Sequence, residues 1–132
     1  MGKTCAHLFA PAEFWKLTPD QRAEICNGCG PDGWLNLLVP DTILGLSISL
    51  ACDIHDYMYV TGETIADKAA ADRVFMNNLV RIITAKTKWS LLMWLRLKRA
   101  RIYYETVHFF GGNWFWVGKN DPGEMGFVQL TS

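Results

Sequence analysis

Apolar positions recur at helical spacing in two adjacent stretches. Ile48, Cys52, His55 and Tyr59 form one i, i+3/i+4 stripe; Ile65, Ala69, Asp72, Phe75, Leu79 and Ile82 or Ile83 form another. Between them stand Gly62, expected as a left-handed helix cap, and Thr64 with Asp67 three residues on, a capping-box pattern. The pattern predicts a helix over about 47–60, a turn, and a second helix over about 65–85. Further elements follow the same logic. Thr18-Pro19-Asp20-Gln21 is a capping box with Pro at the first helical position, opening a short helix to about Cys26. Residues 27–40 read as loop. A long helix over about 89–109 carries Leu92, Leu95, Arg99, Ile102, Tyr103 and Thr106 on one face and ends at Gly111-Gly112. The tail, with Asn113-Trp114-Phe115-Trp116 and Asp121-Pro122-Gly123, reads as loop or a short strand pair.

The two central stripes hold residues that an apolar face does not ordinarily carry. His55 lies seven residues before Gly62 and Asp72 eight after Thr64. At ~1.5 Å rise per residue both stand roughly 11 Å from the turn, level with each other in an antiparallel hairpin. A carboxylate on a buried stripe is costly unless paired, and His55 is the partner the register supplies. From the hairpin alone, a satisfied structural pair in a helix core is the simpler reading.

The segment upstream changes that weighting. Asn27-Gly28-Cys29-Gly30-Pro31-Asp32-Gly33-Trp34 places three glycines in six residues, which lets backbone groups turn inward on something small. Calcium takes backbone carbonyls together with a bidentate carboxylate. Asp56, turned about 100° round the helix from His55, could face such a loop. A Gly/Pro/Asp cluster by itself is more often only a turn.

These elements, Cys29-Gly30-Pro31-Asp32-Gly33, then Cys52-Asp53-Ile54-His55-Asp56-Tyr57-Met58-Tyr59, then Asp72, resemble in content and order the secreted phospholipase A2 superfamily over about residues 26–80. The resemblance implies an all-α, mainly helical domain. It would hold an antiparallel two-helix core, a glycine-rich calcium loop and an additional C-terminal helix. It also implies roles. His55 would be the general base that activates water, Asp72 would orient its far ring nitrogen, and Tyr59 would donate its hydroxyl to Asp72. Calcium would be held by Asp56 and the carbonyls of Gly28, Gly30 and Asp32, with the Gly30 amide and the metal facing the oxyanion. The substrate would be a phospholipid at a membrane or micelle surface, cleaved at its sn-2 ester. A non-catalytic scaffold that binds a membrane or a protein is the alternative. The second helix holds no cysteine, so packing must hold the hairpin together.

Composition adds boundaries. The chain is 132 residues long, half of them hydrophobic and 13% aromatic, which suits a single domain with its own core. No run reaches the ~18 apolar residues of a membrane span. Met1 to Ala10 lacks the pattern of a signal peptide. The expectation is a soluble chain, either cytosolic, processed before this start or exported by another route. Cys5, Cys26, Cys29 and Cys52 allow three pairings; the resemblance favours Cys29 with Cys52, and free thiols remain open. Cys26-x-x-Cys29 has zinc-ligand spacing, but neither a second such pair nor a His pair follows, and His7 and His108 have no sequence partner. An HD-type phosphohydrolase would need more than the three histidines present.

Net charge is zero, yet the charges are segregated. Residues 1–72 hold ten acids against four bases, while 73–104 hold Arg73, Arg81, Lys86, Lys88, Arg96, Lys98, Arg99, Arg101 and no acid. Such a block is a solvated helix face or a surface for anionic lipid, the latter strengthened by Trp89, Trp94, Trp114 and Trp116. No nucleic-acid motif accompanies it, so no nucleic-acid partner is expected.

Overall fold

The computed structural model describes residues 7–25 and 40–116, without the side chains of 113 and 114. In chain order these form α1 (Ala12–Trp15), α2 (Pro19–Ile25), β1 (Thr42–Ile43), β2 (Leu46–Ser47), α3 (Ser49–Thr61), α4 (Ile65–Lys86), α5 (Ser90–Phe110) and α6 (Gly112–Phe115). The architecture is mainly helical: α3 and α4 form an antiparallel pair, α5 packs on α4, and a two-stranded hairpin closes one end.

Local chemistry sets the helix starts. Thr64 accepts from the Asp67 amide at 3.0 Å, and the Asp67 carboxylate accepts from the amides of Thr64 at 3.1 Å and Glu63 at 2.8 Å. The reciprocal bonds of Thr18 with Gln21, 3.0 and 3.1 Å, open α2 in the same way. Gly62 departs from expectation. Its φ of −77° and ψ of 158° are extended, not left-handed. Glycine is needed there for space, because a Cβ would lie 3.0 Å from the Phe115 ring and 2.9 Å from the Met58 carbonyl.

A β-hairpin that no apolar periodicity announces precedes α3. It pairs Thr42 with Ser47 and Ile43 with Leu46 around a two-residue turn in which Leu44 (φ 46°) and Gly45 (φ 83°) both take positive φ. That turn matches strand twist but is unusual for leucine. Arg96 holds it from α5, donating to the Leu44 carbonyl at 2.9 Å and to Thr87 Oγ1 at 2.9 Å.

One apolar cluster joins the hairpin to three helices: Ile43, Ile48, Cys52, Phe75, Leu79, Ile83, Ala100, Tyr103 and Val107 are among its members. The N-terminal segment docks on α4, where the Asn78 amide pairs with both the N–H and the carbonyl of Phe9 at 2.8 and 2.9 Å.

Three further expectations need correction. Ile65 begins the α4 stripe but is exposed, since it sits beside the turn where α3 no longer covers it. The inward face of α5 is Met93, Leu97, Ala100, Tyr103 and Val107; of the six residues expected there only Tyr103 is buried. Small Ala100 lets α5 approach, and apolar residues nearly all round this helix gave the periodicity two candidate faces. Finally, Gly112–Phe115 is a helical turn, not loop or strand, and buries Phe115 edge-on to Tyr59 at 5.1 Å.

Candidate functional site

The register read from the turn brings His55 and Asp72 together. His55 Nε2 lies 2.8 Å from Asp72 Oδ1, and the Tyr59 hydroxyl donates to the same oxygen at 2.7 Å. A carboxylate only accepts, so Nε2 carries the ring proton and Nδ1 carries the lone pair. The imidazole is clamped between Tyr59 and Phe75, with ring centroids 4.2 and 4.7 Å away. Its side chain and that of Asp72 are both 0% exposed.

The second carboxylate oxygen has a partner that the stripes did not reveal. Lys68 Nζ donates to Asp72 Oδ2 at 2.8 Å and to the carbonyls of His108 at 3.0 Å and Val107 at 3.4 Å. Lys68 therefore fastens the site to the C-terminal end of α5, where the negative end of the helix dipole favours a cation. His108 Nδ1 stands 3.6 Å from Asp72 Oδ2, on the exposed rim. Lys68 was legible as a neighbour of Asp72, four residues away on one helix. The long-range contacts of Val107 and His108 left no such sign.

Burial sets the electrostatics. It pushes the His55 pKa below the ordinary histidine range, against the pull of Asp72, so the ring is neutral at pH 7. Burial would raise the Asp72 carboxyl, but the bonds from His55, Lys68 and Tyr59 prevail and hold it below its usual range. Burial and the Asp72 charge together push the Tyr59 hydroxyl far upward, so it stays a donor.

Both downward shifts act in one direction on stability. Below about pH 6.5 the unfolded histidine takes a proton that the buried ring resists. Below about pH 4 the unfolded aspartate does the same relative to Asp72. Stability is therefore complete above about pH 6.5 and falls on acidification. Urea unfolding between pH 7 and 5 is expected to show this loss, reduced in His55→Gln; a stability that rises over that interval contradicts it.

Gly111 guards the same site. A Cβ there would lie 2.6 Å from the Tyr59 hydroxyl and 2.5 Å from the Val107 carbonyl. Gly111→Ala is expected to cost about 1–3 kcal/mol, read by thermal melting. An unchanged melting temperature would show that Tyr59 moves without penalty.

Asp56 is also fully buried, on the adjacent face of α3. Its carboxylate is the hard oxygen donor calcium takes. The other expected ligands, Gly28, Gly30 and Asp32, lie outside the described residues, as do Cys5, Cys26 and Cys29. Among the described residues no group of three His, Cys, Asp or Glu side chains is arranged to hold a metal ion. Among the described residues, a surface cavity of about 360 Å³ lies elsewhere, lined by Leu17, Pro19, Arg22, Ala23 and Asp53, with the Arg22–Asp53 ion pair (3.3 Å) on its wall.

No family model, curated protein or solved structure matches the chain.

Proposed function

We propose that this chain is a calcium-dependent esterase of the phospholipase A2 kind, cleaving the sn-2 acyl ester of a phospholipid. The observation that carries the reading is the single oxygen of Asp72 accepting from both His55 Nε2 and Tyr59. That arrangement fixes the tautomer in which Nδ1 is basic, and burial keeps the ring neutral until it is needed. In the reaction Nδ1 takes a proton from water as its oxygen attacks the ester carbonyl, and returns a proton to the departing alcohol. Asp72 stabilises the imidazolium in between, and Lys68 keeps the second carboxylate oxygen from turning toward it. The products are a fatty acid and a lysophospholipid.

The carboxylate of Asp56, with the carbonyls of Gly28, Gly30 and Asp32, would hold calcium. When bound, the ion supplies positive charge where the ester oxygen becomes an oxyanion. The Gly30 amide would donate to the same oxygen. Asp56→Asn is expected to remove both turnover and the calcium-dependent rise in melting temperature. Unchanged calcium affinity in that variant would move the metal elsewhere.

The complete burial of the His55 ring favours a second reading, in which the pair is a core device of a non-catalytic scaffold that binds a membrane or a protein. The two readings separate on fatty-acid release from phospholipid vesicles as calcium is titrated. The esterase releases acid in a saturable, calcium-dependent way and loses release in His55→Gln; the scaffold releases none.

A further inference from the structure

Helix α5 has a second apolar face, and it points into solvent. Leu91, Leu95, Ile102 and Phe109 are between 40 and 72% exposed. At ~100° per residue they fall within about a 40° arc opposite Ala100 and Val107, the residues packed on the core. The row runs ~27 Å along the helix. Exposed Lys98, Arg99 and Arg101 flank it on both sides, and exposed Trp94 lies at its edge with the Lys98 ammonium 4.6 Å from its ring centre. Glu105, the one acid within α5, is engaged by Arg101 at 3.3 Å.

An exposed apolar row of this length marks a contact surface, and its charges select the partner. A second copy is disfavoured by where the cations sit. Residues 98–101 lie at the midpoint of α5, so two α5 helices packed across a two-fold axis would bring like charges together at their crossing. A partner whose surface is negative and whose interior is apolar satisfies both features. We infer that the outward face of α5 is a docking surface for an anionic lipid bilayer, lying in the interface plane with its apolar row submerged and its cations at the headgroups. The indole paired with a lysine suits that boundary.

This surface is separate from the His55–Asp72 pair, since the side of α5 that faces α4 is the opposite one. The inference therefore goes beyond the esterase reading and stands or falls without it. Docking requires neither His55 nor calcium.

The test is co-sedimentation of the full chain with vesicles in the presence of a chelator, comparing phosphatidylcholine alone with phosphatidylcholine containing phosphatidylserine. The expected result is binding to the anionic vesicles only, weakened by salt and unchanged in His55→Gln. The triple variant K98Q/R99Q/R101Q should bind about 100-fold more weakly, each cation contributing roughly fivefold. L95S/I102S should weaken binding with the cations intact. The three cations, Leu95 and Ile102 are all exposed, so circular dichroism should show both surface variants folded. Undiminished vesicle binding by the variants overturns the inference. So does failure to bind vesicles, whether the chain is monomeric or forms a dimer or a protein complex that L95S/I102S dissolves. Turnover of a soluble monomeric ester without vesicle binding would retain the esterase and reject this surface; vesicle binding without turnover would do the reverse.

Discussion

Asp72→Asn is expected to destabilise the fold by about 3 kcal/mol, the lower end for removing one partner of a buried ion pair. An asparagine of the same shape can still accept from Tyr59 or His55. It cannot compensate the Lys68 ammonium, whose side chain is only 13% exposed in the pair. The corresponding fall in melting temperature is roughly 10 °C. Because the penalty lies in a stranded cation, the double variant K68M/D72N should recover part of the loss, a coupling that a double-mutant cycle measures. A loss below about 1 kcal/mol in Asp72→Asn would mean that Lys68 swings into water at little cost, and that it does not fasten α4 to α5.

His55→Gln is expected to lower turnover by about 10²–10⁴-fold, the usual contribution of a positioned general base. Glutamine can still donate to Asp72 but has no basic nitrogen to accept a proton from water. Calcium binding should be nearly unchanged, since the proposed metal ligands are Asp56 and the 28–32 loop. Calcium-dependent thermal shift reads the second quantity without any substrate. Turnover that survives the substitution would remove His55 as the base, whatever its geometry.

The elements that proved readable share a local cause. Capping residues at Thr18 and Thr64 act within three positions, so the starts of α2 and α4 could be placed from the chain alone. The meeting of His55 with Asp72 followed from counting residues outward from one turn, and the counting survived although Gly62 adopts a conformation other than the expected one. What escaped was decided at long range. The hairpin at Thr42–Ser47 rests on a leucine at positive φ held by Arg96, 52 residues away. The face that α5 turns inward was set by which side could come close to α4, and a helix with apolar residues on both sides does not announce that choice. His108, without a sequence partner, reaches Asp72 only because α5 ends beside α4.

The most direct measurement on the central claim is the rate of fatty-acid release from phospholipid vesicles by the purified chain as free calcium is raised from chelator-buffered zero. The His55–Asp72–Tyr59 arrangement, taken as an esterase centre, predicts no release in chelator and a rate that climbs with calcium to a plateau. No release at any calcium concentration, or equal release with and without the ion, would contradict it.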